Sequence, residues 1–131
     1  MEQQKRIRLA GLTIAQYDAI LNHCNSNIFV TDGEGRVLYA NGAAERALNC
    51  TFDRLRQMDI YQLRADGYTT HSSSADAIKT KRKAFAVYKN NLGEEIATTS
   101  TPVLDGEGNI ELVVTRSDEV GSMQGISGSR A

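Results

Sequence analysis

The tetrapeptide Asp-Gly-Glu-Gly occurs twice, at Asp32–Gly35 and Asp105–Gly108, each time between two short apolar runs. Glycine supplies the positive φ that tight turns require and aspartate bonds nearby backbone amides, so each copy predicts an antiparallel hairpin. The first hairpin spans Asn27–Asn41 and the second joins Thr98–Leu104 to Ile110–Thr115. Asn41 closes the first where a helix cap belongs: its side-chain oxygen can accept from the unpaired amides of the following GAAERALNC, in which Ala44, Ala47 and Leu48 form one apolar face. A calcium loop is the competing reading of the first copy. It needs oxygen ligands over about twelve residues and a terminal glutamate, and Ala43 stands at that terminal position, so a plain turn is favoured.

From Ala84 the apolar period is two: AFAVYKN, a turn at Asn91–Glu94, EIATTSTPVL, the second Asp-Gly-Glu-Gly, then NIELVVTRS. This predicts a three-strand antiparallel meander. Pro102, near the end of the middle strand, cannot donate to a ladder, so its amide side is expected at an edge, a bulge or a strand end. Between hairpin and meander, Phe52, Leu55, Met58, Ile60, Tyr61 and Leu63 are dense without alternation and read as short helical turns. Arg64–Ser74 is polar and turn-rich. Ser74 is expected to cap a helix of about two turns that ends in the solvated cations Lys81, Arg82 and Lys83, which complement the helix dipole. In front of the hairpin, Ile7, Ile14 and Leu21 fall seven apart, and so do Ala10, Tyr17 and Cys24. That spacing is an amphipathic stripe on a helix over Ile7–His23, weakened by Gly11 and ended by His23. The stripe needs a cover, either its own domain or the same helix of a second copy.

At 131 residues the chain suffices for one domain with a modest core. A formal net charge of −1 provides no field to hold nucleic acid or an acidic membrane; the expected partners are proteins or small molecules. No apolar run approaches the roughly 20 residues of a membrane span, and MEQQKRIR lacks the apolar centre of a signal peptide, so the cytoplasm is the expected compartment. Cys24 and Cys50 read as small buried hydrophobes rather than a disulfide or a zinc site, and no metal site is expected. His23 and His71 stand in unrelated contexts, and neither a Gly-x-Ser-x-Gly elbow nor a phosphate-cradling loop is present, so the chain offers no catalytic set. An α+β fold follows, in which hairpin and meander merge into one five-stranded antiparallel sheet with the short helices on one face and a small apolar cavity between.

The pattern Ile28-Phe29-Val30-Thr31-Asp32, Gly35, Val37-x-Tyr39-x-Asn41, Ala44 and Leu48 resembles the opening of a PAS domain, and Gly93, Pro102, Gly108 and Val113-Val114 resemble its closing strands. The resemblance covers about Tyr17–Glu119. Within the family, Ala77-Ile78-Lys79-x-Lys81, Thr99-x-Thr101-Pro102-Val103 and Asn109-Ile110-x-x-Val113-Val114-Thr115 look most like the sensory PAS domains that precede the ATPase of sigma-54-dependent bacterial transcription activators. One departure is the exit: the family commonly reads Asp-Ile-Thr, whereas this chain reads Asp118-Glu119-Val120. Asn49-Cys50-x-Phe52 is similar to a motif of flavin-binding members, but Cys50 follows Asn41 by nine positions, a register unlike that of the reactive cysteine. His71 lies in the region where haem-binding members present a proximal histidine.

The resemblance implies a PAS-like sheet with an N-terminal amphipathic helix: 1–12 as an extension, 13–120 as the sensory domain and 121–131 as a flexible tail or linker. It implies a signal-sensing domain, not an enzyme, that takes a small-molecule ligand, mediates dimerisation as a homodimer, or does both, and so controls an output domain of the same full-length protein. No cofactor is specified. The alternatives are a dimerisation module without ligand, a haem-binding sensor and a histidine-kinase-associated sensor. The expected ligand walls are Val30, Leu48, Ile60, Leu63 and Ile78, with Tyr88, Thr99 and Thr101 as polar contacts. Thr99 and Thr101 share one strand face; turned inward they bring two hydroxyls to the cavity, and turned outward they are strand formers.

Overall fold

The computed structural model describes residues 11–119. They form α1 (Ile14–Asn22), β1 (Asn27–Thr31), β2 (Val37–Ala40), α2 (Gly42–Leu48), α3 (Phe52–Leu55), α4 (Ile60–Ala65), α5 (Ser73–Thr80), β3 (Ala84–Lys89), β4 (Glu95–Leu104) and β5 (Ile110–Glu119). The five strands make one sheet in the order β2-β1-β5-β4-β3, every neighbouring pair antiparallel. The expected hairpin and meander therefore meet along β1 and β5. No helix among the described residues is long and apolar enough to cross a membrane.

One turn chemistry sets all three hairpins. Asp32 Oδ1 accepts from the amides of Glu34 and Arg36 at 2.9 Å, and the Gly35 amide closes on the Asp32 carbonyl with φ at +86°. Asp105 Oδ1 accepts from Glu107 and Asn109 at 2.8 and 3.0 Å, with Gly108 at +82°. The turn between β3 and β4 repeats the device with Asn90, whose Oδ1 accepts from Leu92 and Glu94 at 3.0 Å, and Gly93 at +82°. Side-chain oxygen at the first position and glycine at the fourth are the shared requirement, so the duplicated tetrapeptide is two of three instances. Partial burial pushes the Asp32 carboxyl up, but the Arg36 and Glu34 amides and the Arg36 guanidinium, 2.9 Å away, outweigh it and hold it below the usual carboxylate range. These oxygens are thus committed to the turn.

The helices follow their caps. Thr13 and Gln16 form a reciprocal capping box, with Gln16 Oε1 accepting from the Thr13 amide at 2.8 Å and Thr13 Oγ1 from the Gln16 amide at 3.1 Å. With Gly11 at φ +75°, α1 starts at Ile14 rather than running through from Ile7; Ile7 and Ala10 lie outside the described residues. Among the described residues the stripe is only partly covered: Ile14 is 84% exposed, Tyr17 and Leu21 are half-buried, and Cys24 is exposed rather than buried. Polar contacts dock α1 instead, with the Tyr39 hydroxyl donating to Asp18 at 2.8 Å and Asn22 Oδ1 accepting from the Gly42 amide at 2.7 Å. Burial and this bond push the Tyr39 phenol up to about 12. His23 ends α1, its Nδ1 2.7 Å from the Ala19 carbonyl.

Asn41, 1% exposed, caps α2 as expected and does more. Its Oδ1 accepts from the amides of Ala44 and Ile28 at 2.9 and 3.0 Å, and its Nδ2 donates to the carbonyls of Leu21 and Ser26 at 2.6 and 2.9 Å. Thr51, Asp59 and Ser72 cap α3, α4 and α5. The cap of α5 is Ser72, two residues before the expected Ser74, which leaves Ser73 and Ser74 inside the first turn and buried. At the other end Lys81 adopts φ +59° and its Nζ donates to the Gly108 carbonyl at 2.9 Å. Pro102 sits two residues past the last β3 pair, Ala84 with Ser100, where β4 has no neighbour on that side.

The core lies between sheet and helices, around Phe29, Val37, Leu48, Leu55, Ile60 and Ile96. Gly35 is needed there twice over: besides its positive φ, a Cβ on it would stand 2.8 Å from Ile60 Cγ1. Replacing Asn41 by aspartate keeps both accepting bonds but removes both donations and buries a charge beside two carbonyls. Asn41→Asp is expected to lose about 3 kcal/mol or more in chemical denaturation, whereas a loss below about 1 kcal/mol would contradict the junction role.

Candidate ligand cavity

A cavity lies between α2, α4 and the start of α5 on one side and the inner face of the sheet on the other. About 50 Å³ of it is open to the centre of a water-sized sphere. Its apolar lining comes from Phe29 of β1, Ala44, Ala47 and Leu48 of α2, and Ile60 and Leu63 of α4. Its polar lining comes from Ser73 and Ser74 of α5, Thr98 of β4 and Thr115 and Ser117 of β5, together with Thr69, His71 and Ser72. Tyr88 of β3 also lines it.

The polar wall is a network of five buried hydroxyls. Ser73 Oγ is 2.7 Å from both Thr98 Oγ1 and Ser100 Oγ; Ser74 Oγ is 2.9 Å from Thr115 Oγ1; Ser100 and Thr115 are 2.6 Å apart. A longer contact of 3.4 Å joins Ser74 to Ser100, and Thr98 Oγ1 donates to the Ala86 carbonyl at 3.3 Å. Ser100 is fully buried at its centre. The network binds the first turn of α5 to β4 and β5 through side chains alone. Serine suits this place because its hydroxyl both donates and accepts, so each buried oxygen finds a partner as the low dielectric demands.

The structure gathers Leu48, Ile60, Leu63 and Tyr88 at the cavity, and places the other expected residues elsewhere. Val30 lies on the outer sheet face, paired with Tyr39 and Val114, because its neighbours Phe29 and Thr31 are the buried ones. Ile78 packs against the core from α5 without lining the cavity. Thr99 and Thr101 take the outward option. The pairing of Tyr88 with Ile96 turns both inward, so the inward residues of β4 are Ile96, Thr98 and Ser100. Ile96, the one large apolar residue at the start of that strand, is the sequence signal for this parity. Thr98, Ser100, Thr115 and Ser117 were unmarked in the sequence, and small polar residues gave no reason to place them inside.

His71 stands beside the cavity with Nε2 2.8 Å from Asp76 Oδ2, both side chains partly exposed. Cys50, though packed against the core, does not line the cavity. Burial pushes the Tyr88 phenol well above its ordinary range, so it is a neutral hydroxyl at any physiological pH.

Comparison with known proteins agrees with the architecture. The family model described as "PAS fold" matches residues 15–118, and the chain belongs to the PAS family. Solved structures of the same fold include a PAS domain from a two-component sensor histidine kinase, at 16% identity and TM-score 0.59, with 80% of this chain and 94% of that chain covered. Another is the PAS domain of nitrogen regulation protein NR(II) from Vibrio parahaemolyticus, at 14% identity and TM-score 0.57, covering 82% and 99%. The PAS domain of the fruit-fly ELK potassium channel, at 9% identity and TM-score 0.60, covers 83% and 98%. No curated protein matches the chain.

Removing the Ser100 hydroxyl leaves Ser73 and Thr115 without their shared partner inside the wall. Ser100→Ala is expected to destabilise the chain by about 1–3 kcal/mol in denaturant titration. An effect within about 0.5 kcal/mol would mean that the network contributes little to holding α5.

Proposed function

We propose that the chain is a cytoplasmic, non-enzymatic sensory PAS domain of a bacterial regulatory protein, with residues 13–120 as the sensing unit. Its cavity takes a small molecule, and it acts as a homodimer on an output domain of the same full-length protein. The observation that carries this reading is the seam between cavity and sheet: the hydroxyls of α5 that line the cavity bond directly to Thr98, Ser100 and Thr115 on the central strands. A ligand that favours one packing of α5 changes those contacts, and the population of sheet conformations shifts with it. Leu48, Ile60, Leu63 and Tyr88 are its proposed contacts. The likeness of Ala77–Lys81, Thr99–Val103 and Asn109–Thr115 to the sensory domains of sigma-54-dependent activators supports an output in transcription regulation. Exposed Ile14 and Ile20 on α1, at 84% and 53%, support burial against a second copy.

The ligand reading is tested by thermal unfolding of the chain across a metabolite panel. One member that raises the midpoint, with the rise lost in Leu48→Trp, is expected; no response across the panel argues against sensing by this cavity. For the dimer, sedimentation of the whole chain is compared with a form beginning at Tyr17. The truncated form is expected at half the mass, and an unchanged mass would remove the stripe before Tyr17, Ile14 included, from the interface.

A further inference from the structure

Two hydroxyls at the cavity are left unused by the packing. Tyr88 and Ser117 are each 7% exposed and line the open space, and neither side chain has a hydrogen-bond partner among the described residues. Buried hydroxyls in native proteins are nearly always partnered, so this pair points to something the cavity holds.

The rest of the polar wall offers the complementary chemistry. Each of its five hydroxyls has one proton. Thr98 gives its own to the Ala86 carbonyl, and the other four are taken up by the contacts among Ser73, Ser74, Thr98, Ser100 and Thr115. Oxygen lone pairs remain in surplus, so the wall presents acceptors to the cavity, whereas Tyr88 and Ser117 are free to donate. Among the described residues no Lys, Arg, Asp or Glu lines the space, and His71 is engaged with Asp76. A charged ligand would lose its hydration without meeting a counter-charge. The size is also limited, because about 50 Å³ is open to the centre of a water-sized sphere, which suits a compact molecule rather than an extended one.

We infer that the cavity is built for a compact uncharged molecule that carries both a hydrogen-bond donor and an acceptor, as a primary amide does. Its donor faces the Ser73, Thr98 and Thr115 oxygens and its acceptor faces the hydroxyls of Tyr88 and Ser117, with its apolar part toward Leu48, Ile60 and Leu63. This rests on the cavity being a ligand site, as proposed above, and adds the chemistry that it selects.

Acetamide, acetate and acetone have the same number of non-hydrogen atoms and differ in charge and donor content. Titration of the full chain with each at millimolar concentration, followed by amide chemical shifts, is the test. Acetamide is expected to shift the amides of Leu48, Tyr88, Thr98 and Thr115, with acetate inactive and acetone about tenfold weaker. Tyr88→Phe is expected to weaken acetamide about tenfold while leaving the thermal midpoint unchanged or higher, because it deletes an unpartnered hydroxyl. Ser117→Ala reads the same loss through the second donor should the phenylalanine variant not fold. Acetate binding as tightly as acetamide, or full acetamide affinity in both variants, overturns the inference and leaves a ligand cavity of other selectivity. No shift with any of the three also overturns it, water being then the occupant that Tyr88 and Ser117 hold, and the metabolite panel decides the cavity reading separately.

Discussion

The Asn41 carboxamide spends its full hydrogen-bonding capacity where four segments cross. Its oxygen holds one amide of β1, that of Ile28, and one of α2, that of Ala44, and its nitrogen holds the carbonyls of Leu21 at the end of α1 and Ser26 in the loop to β1. Among side chains only a carboxamide meets this demand: aspartate cannot donate, lysine cannot accept, and a hydroxyl has a single proton. The position is 1% exposed, so an unmet bond there has no water to turn to. The end of α1, the first strand and the start of α2 are thereby tied to one another by one side chain.

From that junction the cavity follows. With α2 anchored at its first turn, Ala44 and Leu48 face the sheet, and α4 is held from the hairpin side by the Ile60 amide on the Gly35 carbonyl at 2.9 Å. The remaining cavity helix, α5, adds hydroxyl contacts with the sheet from its first turn to the apolar packing of Ala75, Ala77 and Ile78. Hydrogen-bonded contacts of this kind can exchange partners without a change in packed volume. That gives a sensor its adjustable seam, opposite a wall of aliphatic side chains that sets the shape.

Much of this was legible in the sequence. The turn tetrapeptides, the capping role of Asn41 and the change of period at Ala84 marked all five strands, because those signals are local: a glycine with positive φ, an aspartate that accepts two amides, an alternation over one strand. What escaped is what depends on parity and on distant partners. In Thr98-Thr99-Ser100-Thr101 every residue is small and polar, so composition is silent on which two face inward; the β3 register, through Tyr88 opposite Ile96, decides it. Run on from Ile7, the heptad stripe overstated α1, since spacing is blind to the capping box at Thr13 that begins the helix anew. Ser72 and Ser74 are equally good caps in isolation, and only the sheet's need for Ser74 against Thr115 separates them. The hydroxyl wall had no sequence signature at all, being assembled from two strands and a helix turn up to 41 residues apart.

The most direct test of the Asn41 junction is native-state hydrogen exchange of the two amides that share its oxygen, Ile28 and Ala44. One belongs to a strand and the other to the first turn of a helix that would ordinarily fray. If Asn41 holds both segments as a unit, the two amides exchange with the same free energy, equal to that of global unfolding measured by denaturant. Exchange of Ala44 at a much lower free energy than Ile28 would show that α2 opens independently of the hairpin, and that the junction does not govern the fold.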